Sequence, residues 1–303
     1  MTIMKKIKDG IYKTNRNKIV FIDKSFIKSL EKDASTVPSL RSRILYHSST
    51  DSSPQQMFIC FDRNSTVPVS MHTFSESFLI IDGIAHYRFY KKSGEIFHDV
   101  RLSPAQLNGT FYVYIKKEIP HRFFSLSKYS LANEVGYSYF SPDFTKYGNT
   151  PYYKKANKIN LNQLNKEILL RNSKTIFKKL FPNHYQMNSK TGIIELSYKD
   201  ILTLIKNNKN PFFIFPDTGL RVKKNDISIL LEKIYVMQPK KISKLVLKNS
   251  YISVVKGVAE IKFGKKKIIM NEKKRFVLGP IKNNLITIKN LSQNSIFHIS
   301  NEK

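Results

Sequence analysis

The 303-residue chain contains a single cysteine, Cys60, so no internal disulfide can form and any cysteine-based metal site lacks partners. Set between apolar residues in QMFICFD, that thiol reads as a buried structural group. Acidic residues are also scarce: 22 Asp and Glu stand against 52 Lys and Arg, a formal net charge of +30. A field of that sign draws nucleotides, anionic glycans, nucleic acid or anionic membrane without choosing among them. An AT-rich genome yields the same abundance of Lys, Asn and Ile. No apolar run approaches the roughly 18 residues needed to span a bilayer. The basic start, MTIMKKIKDGIYKTNRNK, lacks a following apolar h-region, so no membrane span is expected and the expected compartment is the cytoplasm. Helix-turn-helix, zinc-finger and RNP signatures are missing, which argues against nucleic acid as the partner. Lys240-Lys241 and Lys265-Lys266-Lys267 carry no interleaved aromatics and read as solvated turns.

What is present suffices for folding. Hydrophobic residues make up 41% and aromatics 12%, enough to bury real cores, and the length suggests two domains. From residue 20 to about 150 the pattern is a short helix followed by many short strands. Asp23 can cap FIDKSFIKSLEKDA, in which Phe26, Ile27 and Leu30 recur at helical spacing. MFICF, FLII, AHYRFY, FYVYI and RFFSL then read as strands separated by turns such as Asp82-Gly83. Residues 151–232 read as a mixed, largely helical connector. Leu161, Leu164, Ile168, Ile176, Phe177 and Leu180 share a helical face, Ser197 and Asp200 have capping-box spacing, PFFIF is a strand, and NDISILLEKI is helical. Residues 233–303 return to strands.

An internal repeat links the two β-rich parts. SFLIIDGIAHYRF (77–89) and YISVVKGVAEIKF (251–263) place Gly83 against Gly257, Ala85 against Ala259 and Phe89 against Phe263, which reads as a hairpin used twice. The expected fold is therefore mainly β, with two related β-domains at 1–150 and 233–303.

Of seven histidines, two stand where spacing gives them a shared role. One is His72, followed four residues on by Glu76, and the other is His121 in IKKEIPHRFF. On a small antiparallel barrel these three converge on the interior. Neutral imidazoles and a carboxylate suit Zn²⁺, Fe²⁺, Mn²⁺ or Ni²⁺.

At these residues the chain resembles a known family. SMHTFSESFLIIDG and YVYIKKEIPHRFFSL are similar to the two cupin motifs, and residues 20 to about 147 resemble the WbuC family of cupin-fold metalloproteins. The further matches are LRSRILYHSS, the segment 51–61 that ends in PQQMFICF, SESFLIIDGIAHYRFYKKSGEIFHDVRLSP and EVGYSYFSPDF. The resemblance implies a jelly-roll barrel with a divalent metal on His72, Glu76 and His121. Ser70 stands where the family has its first metal histidine, and Lys116 and Glu118 replace the Pro and Gly of the second motif. Two readings follow: a metal held by three ligands, or a barrel that keeps its shape and binds a ligand without metal. LVLKNSYISVVKGVAEI is similar, more weakly, to the cupin domain of type II mannose-6-phosphate isomerases, with the metal-ligand types replaced. His298 in IFHIS then reads as a satisfied strand residue, and the second barrel as a packing or dimer surface.

The implied architecture is a bicupin. Arg41, Arg43 and His47 lie in the matching R-x-R segment, where guanidinium groups suit an anionic sugar or nucleotide-sugar. The implied function is a role in bacterial surface-polysaccharide biosynthesis, as a metal-dependent sugar or nucleotide-sugar isomerase or epimerase. The rival is a non-catalytic sugar-binding or regulatory bicupin, and a homodimer is the expected assembly for either.

Overall fold

The computed structural model describes residues 4–14, 23–47, 49, 51–138, 145–147, 175–181, 184–218, 231–247, 250–272, 277–281 and 284–301. It is mainly β. The chain begins with β1 (Met4–Lys8) and β2 (Ile11–Thr14), then helix α1 (Lys24–Thr36). Asp23 caps α1 by accepting a 2.9 Å hydrogen bond from the Phe26 amide, and Ile27, Leu30 and Ala34 form its buried stripe. Next come β3 (Arg41–Leu45), β4 (Gln55–Asp62), β5 (Ser70–His72), β6 (Glu76–Asp82), β7 (Ala85–Tyr90) and β8 (Ile96–Leu102). β9 (Thr110–Ile115), β10 (His121–Ser125), β11 (Tyr129–Gly136) and β12 (Thr145–Tyr147) complete this half.

These strands form two facing layers. One runs β1-β2-β3-β4-β11-β6-β9 and the other β8-β7-β10-β5-β12. A single parallel pairing, Leu102 with Thr110, joins them at one end. Strand alternation turns Phe61 and Phe78 of the first layer onto Tyr87 and Phe123 of the second, with ring centroids 4.2 Å apart for Phe61 and Phe123. Each such ring removed from water contributes roughly 2 kcal/mol.

The second half holds β13 (Ile176–Phe181), β14 (His184–Asn188), β15 (Ile193–Ser197), helix α2 (Tyr198–Lys206) and β16 (Phe212–Pro216). It continues with β17 (Glu232–Met237), β18 (Ile242–Leu247), β19 (Ser250–Lys256) and β20 (Val258–Phe263). β21 (Lys266–Asn271), β22 (Val277–Ile281), β23 (Asn284–Asn290) and β24 (Ser295–Asn301) close it. A seven-stranded sheet, β13-β14-β16-β17-β24-β19-β22, faces a four-stranded one, β18-β23-β20-β21. Tyr235, Ile252, Ile261, Ile288 and Phe297 fill the space between them.

Two expectations for this region change. Ser197 and Asp200 do form a capping box at the start of α2, and PFFIF is β16. However, Ile176, Phe177 and Leu180 lie on β13, where helix is expected, and β17 opens at Glu232, inside the expected helix NDISILLEKI, before continuing through 233–237 as the expected strand. Residues 161–174, the rest of the first expected helix, fall outside the described residues. Among the described residues of 151–232, strands outnumber the one helix, and β15 pairs with β9 of the first half. Short apolar runs carry no periodicity that separates a buried strand from a helix, and pairing with existing edges decides the matter.

The repeat is real in structure but is not a hairpin. β6 pairs with β9 and β11, while β7 pairs with β8 and β10; likewise β19 pairs with β22 and β24, while β20 pairs with β21 and β23. At each Gly the chain crosses from one sheet to the facing one. Gly83 has φ +76° and Gly257 φ +95°, and an added Cβ would stand 2.2 Å from the Tyr129 carbonyl oxygen or 2.5 Å from that of Asn294. Only glycine fits these crossings.

The halves pack on one another through a buried polar cluster. Oε2 of Glu232 accepts from Ser77 (2.6 Å), Tyr112 (3.0 Å) and Tyr137 (2.5 Å), while Oε1 pairs with Nε2 of His298. The other ring nitrogen of His298 accepts from the Asn133 amide at 3.0 Å, and Asn133 in turn accepts from the Tyr46 hydroxyl. Burial alone would raise the Glu232 carboxyl, but His298 and the Ser77 and Tyr137 hydroxyls hold it below its ordinary value.

Candidate metal centre and its cavity

His72 ends β5, Glu76 begins β6 and His121 begins β10. β10 pairs with β5 through His121 and Ser70, which brings the two histidine strands side by side in the second layer, while Glu76 reaches across from the first. The Phe74 ring stacks on His72 at 5.0 Å, and Tyr87 stands edge-on to His121 at 5.7 Å. One ligand atom from each of His72, Glu76 and His121 lies within 4.8 Å of the others. Nε2 of His72 is 3.4 Å from Oε2 of Glu76, and Nε2 of His121 is 2.8 Å from Oε1. The spacing expected from sequence therefore becomes a cluster in space.

Its hydrogen bonding fits a cation. Nδ1 of His121 faces the Ile119 carbonyl at 2.9 Å, and since a carbonyl only accepts, Nδ1 carries a proton. In the neutral ring Nε2 then presents a lone pair to Oε1 of Glu76, a buried oxygen with no hydrogen-bond donor. Two acceptors at 2.8 Å call for a positive charge between them, either a proton or a divalent metal. Two imidazoles and a carboxylate on one side, with the remaining positions open to the cavity, form a donor set suited to a non-haem divalent ion.

The electrostatics agree. Burial would raise the Glu76 carboxyl, but His72 and His121 pull it down to about 2. Burial lowers His72, with Glu76 offsetting only part of that. Burial would lower His121 too, yet the carboxylate beside it outweighs burial and raises it. The carboxylate is thus ionised, and one imidazole is held neutral.

The cluster lines a cavity of about 480 Å³, within the range of small-ligand pockets. Phe61, Phe74, Phe78, Tyr87 and Phe123 give it aromatic walls. Arg41 and Arg43, two apart on β3, point the same way and also line it. Nε of Arg43 is buried without a hydrogen-bond partner. His47 does not join them: it is buried beside β4, where its Nδ1 accepts from the Gln56 amide at 3.0 Å. Ser70 does reach the cavity, its hydroxyl 3.4 Å from Nε2 of His121.

Glu134 and Gly136 on β11 also line the cavity, beyond what the sequence singles out. Gly136 pairs with Glu76 across the sheet and Glu134 with Phe78, and a Cβ at 136 would stand 3.1 Å from the Phe74 ring, so the absent side chain leaves room for the ring that stacks on His72. Burial and the nearby Glu76 raise the Glu134 carboxyl to about 7, with Arg43, His121 and Arg41 offsetting part of the shift. Among the described residues Glu134 forms no hydrogen bond or ion pair, although two guanidinium groups share its cavity. The signal was in the sequence: two-residue alternation puts Ala132, Glu134 and Gly136 on one strand face.

Comparison with known proteins bears on the fold. Salicylate 1,2-dioxygenase from Pseudaminobacter salicylatoxidans superposes with a TM-score of 0.57 at 10% identity, covering 94% of this chain and 84% of that one. A gentisate adduct of that enzyme gives 0.56, 10%, 94% and 81%. The cupin 2 conserved barrel domain protein from Leptotrichia buccalis gives 0.45, 7%, 87% and 89%. At this identity the likeness to the dioxygenase is one of fold. A family model described as a domain of unknown function (DUF6016) matches residues 22–102, which hold His72, Glu76, Arg41 and Arg43. No curated protein matches the sequence. No helix among the described residues is long and apolar enough to cross a membrane.

Proposed function

We propose that this protein is a metal-dependent enzyme acting on a small hydroxylated organic anion, with a divalent metal on His72, Glu76 and His121. The observation that carries this reading is the 2.8 Å approach of two acceptors, His121 Nε2 and Glu76 Oε1, inside a cavity that Arg43 and Glu134 also line. A metal in that position supplies Lewis acidity. Arg41 and Arg43 hold the carboxylate or phosphate of the ligand, the aromatic walls exclude water, and Glu134 accepts the proton that a ligand hydroxyl sheds. Ser70, smaller than an imidazole, leaves a ligating direction open toward the cavity.

Two ligand classes fit. The WbuC resemblance supports a sugar acid or nucleotide-sugar, with isomerisation or epimerisation in surface-polysaccharide assembly, and with the chain read as two cupin barrels. The five aromatic side chains support an aromatic hydroxy acid, the class to which the salicylate in the neighbouring dioxygenase's name belongs. Cobalt(II) titration of EDTA-treated protein tests the site. Visible d–d bands should saturate at one equivalent, and either tartrate or salicylate should shift them. Arg43→Gln should weaken the anion effect and keep the bands. Absent bands, or an anion effect indifferent to Arg43, would contradict the proposal.

A further inference from the structure

The outer face of the four-stranded sheet carries a pattern that the cavity does not use. Its inner face is ordinary core: Leu247, Ala259, Ile261, Met270, Ile286 and Ile288 are buried. On the other side, strand pairing sets three rows. Ile242, Lys289, Glu260 and Ile269 lie side by side across β18, β23, β20 and β21. Lys244, Thr287, Lys262 and Lys267 form the next row, and Val246 and Leu285 pair in the third. The four aliphatic side chains are 56–68% exposed, and all four lysines are exposed. One carboxylate, Glu260, stands among them, 3.7 Å from Lys267 Nζ.

Both features oppose folding in isolation. Like charges opposite one another on adjacent strands, as at Lys262 and Lys267, destabilise a sheet, and solvent-exposed aliphatics gain nothing. A partner that accepts cations and aliphatic tips together resolves both. We propose that this face docks on an anionic phospholipid bilayer, lysines meeting headgroup phosphates and carboxylates while Ile242, Val246, Ile269 and Leu285 enter the interfacial region. A second copy of the chain would set lysine row against lysine row. Nucleic acid finds no aromatic platform on this face, and its phosphates would meet the aliphatics.

Co-sedimentation of the full chain with vesicles tests the proposal. Binding is expected to phosphatidylcholine vesicles containing phosphatidylserine, not to phosphatidylcholine alone, and is expected to weaken with salt. Each lysine neutralised should lower the partition coefficient about fivefold, so Lys262→Gln with Lys267→Gln should lower it about 25-fold. Val246→Ser with Leu285→Ser should lower it as well, while Lys28→Gln with Lys32→Gln on α1 should leave it unchanged; unaltered melting temperatures show that the variants fold. The proposal is overturned by absent binding, by equal loss in the α1 variant, which would mark diffuse attraction of the whole +30 chain, or by tighter retention on nucleic acid that the same lysine substitutions abolish.

Discussion

His121 holds its Nε2 2.8 Å from Glu76 Oε1 while its Nδ1 is already committed to the Ile119 carbonyl at 2.9 Å. The imidazole therefore cannot turn to relieve the contact, and either a proton or a metal must occupy it. The two occupants respond oppositely to pH.

In metal-free protein the Glu76 carboxyl is held at about 2, so its stabilisation is present above its ordinary 4.5 and is lost as pH falls toward 2. His121 is raised, so its stabilisation is present below its ordinary 6.5 and is lost as pH rises through the raised value. Metal must displace the imidazole proton. Zinc should therefore raise Tm, relative to EDTA, more at about pH 8 than at about pH 6. Scanning fluorimetry under the four conditions checks this, and an equal increment at both pH values contradicts it.

Glu134 has the opposite sign from Glu76. Its carboxyl is raised to about 7, so stability is greatest below the ordinary 4.5, declines between 4.5 and about 7 while only the unfolded chain ionises there, and levels off above. Glu134→Gln removes that decline. The variant should melt above the parent at about pH 8 and converge with it at about pH 4. A difference that does not change with pH would show that Glu134 ionises freely.

In the polar cluster between the halves the buried Glu232 carboxylate is held by donors from Ser77, Tyr112, Tyr137 and His298, so removing one of them is costly. His298→Leu should destabilise by about 1.5–3 kcal/mol, because the Glu232 carboxylate loses the donor at Oε1. Adding Glu232→Leu should recover part of the loss. Urea unfolding of both variants measures it, and a double variant weaker than the sum of the single ones would contradict the account.

How much of this was legible differs by element. The α1 cap and its apolar stripe follow from local spacing, whereas the meeting of His72 and Glu76 with His121, 45 residues on, follows from placing them on strands of one antiparallel barrel. The 77–89 and 251–263 repeat was visible as residues, but hairpin and sheet crossing share a Gly between two strands, and only pairing partners distinguish them. The β13 segment reads as helix because Ile176, Phe177 and Leu180 also fit one helical face, and only its pairing with β14, the next strand along the chain, decides otherwise. Glu134, a single carboxylate on a strand, carries no motif and matters through what faces it.

The crossings make a direct prediction. Gly83→Ala and Gly257→Ala each place a Cβ against a carbonyl oxygen at positive φ. Each should cost on the order of 3 kcal/mol by thermal or urea unfolding. A loss well under 1 kcal/mol, the ordinary level for a surface change, would mean the backbone relaxes there.

The central claim is the metal. Elemental analysis of protein purified without chelator, alongside His121→Ala and Glu76→Gln, tests it most directly. The account predicts about one transition-metal ion per parent chain and a loss of at least tenfold in each variant, since a three-ligand site cannot spare a donor. A parent without metal that also fails to take up zinc, or variants with an unchanged metal-to-protein ratio, would contradict it.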